Sequence, residues 1–291
     1  MNYVDSIRKL ASDVTATLKK WKSIEVDFDA PHRRGRAPTD ARSEFLSNRG
    51  MGDWAEASLK TALIEVLPSL QIVKYGNDDL ISAGDEGFKE FYSAYQDELE
   101  ATGKRPDLLV FERRDGCRPD DMSQLPLADL AHMTRAANFA IEVRSSKQLS
   151  DVYEKVRTEE GVAGHGAVLS FTVKVEDLRL VVRWIKSFGV RHFYAQVFLD
   201  AAYMISFEKL LLLISKRAAG VRIEKNERNQ GKPTIHVPIT HGTRIACFAT
   251  PPDFTAKVRT TRLGRVDAFV KPTGGKMLVS GEAVTELIGL S

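Results

Sequence analysis

Hydrophobic residues recur along this chain with two periods, and the alternation between them outlines the fold. Residues 4–21 carry apolar positions at helical spacing with good helix formers between them. A Gly- and Pro-broken loop, Asp29 to Asp40, follows and exposes Arg33, Arg34 and Arg36. Residues 53–67 form the next amphipathic helix, with Asp53 as N-cap and Pro68 as stop, and Gln71–Tyr75 reads as a strand. An acidic helix spans about Phe88 to Leu99.

The middle of the chain changes character. DLLVFE (107–112), NFAIEVR (138–144) and AVLSFTV (167–173) are short apolar strands, with a polar loop from Arg113 to Arg135 between the first two. Val175–Phe188 is helical and ends at Gly189. HFYAQVF (192–198) and YMIS (203–206) are strands again, and Phe207–Lys216 a helix. Strands alternating with helices predict an α/β core with a mixed sheet flanked by helices. After Ala219 the pieces become short and β-like (TIHVPI, GTRIACFAT, GRVDAFV), and a final helix is capped at Ser280. The predicted organisation is a helical N-terminal region with a basic loop (1–49), the core (50–219) and a β-rich extension (220–291).

Composition narrows the class. A chain of 291 residues, 43% hydrophobic and 28% charged, can bury a substantial core. Cys117 and Cys247 lack a CxxC partner, which argues against a disulfide framework or a zinc site. The opening MNYVDSIRKLASD has no apolar signal segment and no apolar run approaches membrane-spanning length, so the expectation is a cytoplasmic protein without a membrane role. The net charge of +3 is small, but Lys257, Arg259, Arg262, Arg265, Lys271 and Lys276 cluster within twenty residues, against acidic residues 85–100.

The informative chemistry is Pro106-Asp107 at the start of one apolar strand and Glu142-Val143-Arg144 at the end of another. Alternate strand residues share a face, so Glu142, Arg144 and Ser146 point together. Should these strands be neighbours, Asp107 and Glu142 meet at their opening. Two carboxylates on apolar strands are costly unless compensated, and a hard divalent cation compensates them. The six histidines show no HxH or HExxH spacing, and Gly161–Gly166 lacks a phosphate-loop signature.

These residues resemble the PD-(D/E)XK nuclease superfamily: P-D, a spacer, then D/E-x-K. Glu56, on the preceding helix, matches a glutamate that many such nucleases carry. RPDLLVFE, FAIEVRSSK and YAQVFLDAAYMISFEKL further resemble type II restriction endonucleases of the AccI group. The resemblance covers residues 50–216. It implies magnesium-dependent cleavage of double-stranded DNA, a homodimer matched to a symmetric site, and a DNA methyltransferase encoded as genetic partner. Asp107, Glu142 and the Val143 carbonyl would be metal ligands and Glu56 an outer or second-metal residue. The motif lysine is replaced by Arg144, which cannot act as a base; Arg144 or Lys147 would supply the positive charge. Arg33, Arg34, Arg36, Arg244, Lys257, Arg259 and Arg262 are the candidate DNA contacts. Two alternatives stay open at this point: a structure-specific repair or recombination nuclease, and a non-catalytic DNA-binding protein with a decayed site.

Overall fold

The computed structural model describes residues 2–77, 80–113, 118–152, 168–225, 232–261 and 264–289. Its helices include α1 (Tyr3–Lys22), α2 (Ser43–Val66), α3 (Phe88–Thr102), α4 (Leu127–Arg135), α5 (Val175–Phe188), α6 (Phe207–Ser215) and α7 (Gly281–Ile288). The strands are β1 (Leu70–Lys74), β2 (Leu108–Glu112), β3 (Phe139–Ser145), β4 (Ser170–Lys174), β5 (Arg191–Val197) and β6 (Ala201–Ser206), then β7 (Arg222–Lys225), β8 (Pro233–Pro238), β9 (Thr243–Thr250), β10 (Asp253–Thr260), β11 (Val266–Thr273) and β12 (Lys276–Val279).

The main sheet runs β1-β2-β3-β5-β6-β9-β12. β1, β2 and β3 are antiparallel neighbours, whereas β3 and β5 pair in parallel. A parallel pair needs a crossover, and α5 lies within that connection. Strands β4, β8 and β7 form a second sheet, and β10 and β11 a hairpin. The mixed α/β architecture is therefore the one the alternating pattern predicts. The tail beyond residue 220 divides: β9 and β12 complete the main sheet, β7 and β8 pair in the second one, and β10 and β11 pair with each other.

Strand alternation sorts the core onto two faces. Leu109, Phe111, Ala140 and Tyr194 face α1, α5 and α6, while Leu108, Val110, Ile141 and Val143 face α2 and α7. On α5 the buried positions Val175, Leu178, Val181, Val182, Ile185 and Phe188 recur at helical spacing. Each contributes about 1.5–3 kcal/mol on burial, and Gly189 ends the helix at φ +74°. Helix α1 spends its stripe internally, burying Ile7, Val14 and Leu18.

Two local expectations change. Helix α2 begins at Ser43, so Asp53 is not its N-cap but an interior residue 3.6 Å from the Lys271 ammonium. The hairpin holds those extra turns: Trp54 Nε1 donates to the Gly274 carbonyl at 2.9 Å, and Val270 N–H donates to Ser47 Oγ. A Cβ on Gly50 would stand 3.2 Å from the Lys271 side chain, so a glycine there admits the close approach. Secondly, the stretch read as a loop from 113 to 135 contains α4. That helix is short, and tertiary burial of Leu130 and Thr134 supports it. Among the described residues no helix is long and apolar enough to cross a membrane.

Candidate active site

Pro106 can stand just before a strand because no ladder donor is needed there, and it places Asp107 at the mouth of β2. Tyr75 and Gly76 both donate backbone N–H groups to the Asp107 carbonyl, at 2.8 and 3.1 Å. A Cβ on Gly76 would lie 3.2 Å from Asp107 Oδ1, so glycine lets the end of β1 close against this carboxylate. On the other side Leu108 pairs with Ile141, and continuing that register by one residue sets Asp107 opposite Glu142. Val143 N–H donates to Asp107 Oδ2 at 2.5 Å. The two carboxylates meet as the strand pattern predicts.

Glu142 is almost fully buried at 1% exposure, which demands compensation. Its Oε1 takes Lys104 Nζ at 2.8 Å and a guanidinium nitrogen of Arg144 at 3.0 Å. That Arg144 nitrogen also reaches Asp177 Oδ2, in the first turn of α5, at 2.8 Å. Burial opposes charge on Arg144, but Glu142 and Asp177 prevail and raise its pKa above the ordinary arginine value. Glu142 Oε2 is buried with no hydrogen-bond partner among the described residues. The group thus sets three carboxylates, Asp107, Glu142 and Asp177, against two cations, and leaves one carboxylate oxygen unspent.

That surplus is the test for a divalent ion. Magnesium is commonly held by one or two carboxylates, with water and substrate phosphate completing its shell. Asp107 and the unpartnered Glu142 oxygen fit it. A strand residue's N–H and C=O leave on the same side, so the Val143 carbonyl opens toward Asp107 as well. Among the described residues no group of three or more His, Cys, Asp or Glu forms a ready cage, and Glu56 lies on another element. It sits half-buried on α2, on the opposite face of the sheet from Glu142.

Lys104 escaped the sequence reading. Its only signal was position, two residues before Pro106 in KRPD, and nothing local distinguished it from neighbouring Arg105. Arg105 turns away to Glu98, with Nε 2.5 Å from Oε1, and stacks over Tyr75. Arg144 does reach Glu142, whereas Lys147 is exposed on the turn after β3.

Two further buried groups line the same face. Tyr194 pairs with Glu142 across β3 and β5, and burial, then Glu142, raises its pKa. Burial, with Lys104 and Arg144 adding repulsion, pushes the His192 pKa down to about 3 from about 6.5. Below pH 6.5 the unfolded chain binds a proton at His192 that the folded chain refuses down to about pH 3. Stability is therefore untouched by this residue above 6.5 and falls with pH below it, by up to about 1.4 kcal/mol per pH unit. His192 packs edge-on to Trp184 and Phe207, so His192→Phe keeps the packing and should flatten that acid slope in urea unfolding between pH 6.5 and 4.5. An unchanged slope removes His192 from the account.

The candidate DNA contacts scatter. Arg34 is paired with Asp97, Arg244 with Asp151 at 3.3 Å, and Arg259 with Asp85 at 2.7 Å. Arg33, Arg36 and Lys257 are exposed. Arg262 lies outside the described residues, as does Gly161–Gly166.

A curled mixed sheet flanked by helices, with paired carboxylates where two strands open, defines an α/β protein with an acidic site. A family model described as AccI restriction endonuclease matches residues 1–163 and 163–291, and the chain belongs to that family. It is accordingly a type II site-specific deoxyribonuclease, a hydrolase that binds double-stranded DNA. No curated protein and no solved structure matches it.

Proposed function

We propose that this enzyme hydrolyses phosphodiester bonds at Asp107 and Glu142, with magnesium as the divalent ion and a PD-(D/E)XK-type core. The observation that carries the reading is the buried cross-strand pair with one Glu142 oxygen unspent. Adjacent antiparallel strands bearing Pro-Asp and Glu-Val-Arg, preceded by α2 and flanked by helices, support the core assignment. Asp107, Glu142 and the Val143 carbonyl would hold the ion, which when bound lowers the pKa of water and neutralises phosphate charge. Lys104 takes the part the sequence assigned to Arg144 or Lys147. Its ammonium, 2.8 Å from Glu142, fixes that carboxylate and puts positive charge beside the reacting phosphate. Arg144 ties the pair to α5 through Asp177.

A symmetric DNA site is most simply cut by a two-fold dimer. The outer face of the β10–β11 hairpin, where Phe254, Val258, Val266 and Val270 are exposed, is the apolar surface available to a second copy. The protein incubated with sequenced plasmid and magnesium should give discrete fragments with uniform ends, and none in EDTA. Smearing, or cleavage confined to branched junctions, would turn the reading to a repair nuclease. Binding without cutting under any divalent ion would leave a DNA-binding protein with a decayed site.

A further inference from the structure

Beyond the carboxylate pair, the turn after β3, the ends of β4 and β5, and strands β7 and β8 enclose an open groove of about 660 Å³. Lys147, Lys174 and Arg222 line it, contributed by three separate stretches of chain. All three are exposed, and none makes an ion pair or side-chain hydrogen bond among the described residues. The acidic residue on the wall, Glu224, is turned to His236, with Nε2 to Oε2 3.3 Å. Burial, and then Arg222, lowers the pKa of His236.

The contrast with the arginines first singled out is direct. Arg34, Arg244 and Arg259 already direct their charge to carboxylates of this chain, while the groove gathers three cations that have no carboxylate partner among the described residues. Like charges converge at a cost unless a polyanion meets them. Ser170, Thr172 and Gln148 on the walls add polar groups of the kind that contact phosphate oxygens. Arg144 also lines the groove, and its guanidinium touches Glu142. A strand lying in the groove therefore passes beside the carboxylate pair.

We propose that this groove seats the phosphate backbone of a DNA strand next to the cleavage point, through Lys147, Lys174 and Arg222. The assignment rests on the nuclease reading for what lies beside the groove, not for the charge that fills it. The test uses a fluorescent 30-base-pair duplex of arbitrary sequence, in EDTA, with anisotropy read over a sodium chloride series. Each phosphate contact contributes about 0.9 to the slope of log affinity against log salt. The triple variant Lys147→Ala, Lys174→Ala, Arg222→Ala should lose about two to three units of slope while melting at the wild-type temperature. Lys147→Arg, Lys174→Arg, Arg222→Lys should keep the slope, because charge is retained. An alanine variant with an unchanged slope, or a charge-conserving variant that loses it, overturns the proposal. Plasmid cutting by the wild type reads the other assignment separately. Cutting with an unchanged slope would move the DNA elsewhere, and a lost slope without any cutting would keep the groove and remove the nuclease chemistry.

Discussion

Asp107→Asn should leave the protein folded and lower plasmid cleavage by about a hundred- to a thousandfold, close to 3–4 kcal/mol of barrier. Asparagine keeps an oxygen able to accept the Val143 N–H, so the contact that joins the mouths of β2 and β3 survives. Its neighbours on the β1 side, the Tyr75 and Gly76 N–H groups, bind the Asp107 backbone carbonyl and are indifferent to the change. What goes is the negative charge, and with it half of the hard-oxygen pair proposed to hold the divalent ion beside Lys104 and Arg144. Thermal melting and cleavage are measured on the same preparation. A melting temperature near wild type with a rate within tenfold of it would take Asp107 out of the reacting centre.

The second large effect is on stability. Glu142→Met takes away the carboxylate that sits 2.8 Å from the buried Lys104 ammonium and 3.0 Å from Arg144. Breaking a buried pair from one side costs about 3–5 kcal/mol, whereas replacing both partners by apolar groups is often close to neutral. Glu142→Met alone should therefore lower the urea-unfolding free energy by that amount. Lys104→Met should cost less, because Arg144 remains on Glu142 at 3.0 Å. The double variant should be more stable than the sum of the singles implies. Arg144 softens the loss in the double variant too, since Asp177 still holds it. Additivity within about 0.5 kcal/mol would mean that the two side chains do not act as a pair. Both single variants should also lose cleavage, and Lys147→Ala should cleave at a rate nearer to wild type than Lys104→Met does, because Lys147 lies exposed on its turn.

Much of this molecule was legible before any coordinates. Helices α1 and α5 came through within a residue or two of each end because their apolar stripes recur at a helical period, with Asn2 capping the start of α1 and Gly189 stopping α5. The strands of the core came through because runs such as DLLVFE and NFAIEVR are short and apolar. Even the meeting of Asp107 and Glu142 was implied, since a Pro-Asp at one strand mouth and a Glu at another must converge if the strands are neighbours. Local signals determine local structure, and the period of a pattern is a local signal.

Tertiary structure decided the remainder. It carried α2 ten residues past its apparent cap at Asp53, because a hairpin more than 200 residues away packs on its first turns. It placed β9 and β12 in the main sheet, because pairing covers the backbone groups a sheet edge leaves open. It left Glu56 half-buried on α2, whose buried residues pack on the sheet face that carries Leu108 and Val143. Above all it set Lys104, together with Arg144, against Glu142: a long side chain finds its charge partner through space, and no spacing along the chain encodes which carboxylate that will be. The same holds for the groove, whose three cations are unremarkable in sequence and become a site only when β4, β7 and the turn after β3 fold against one another.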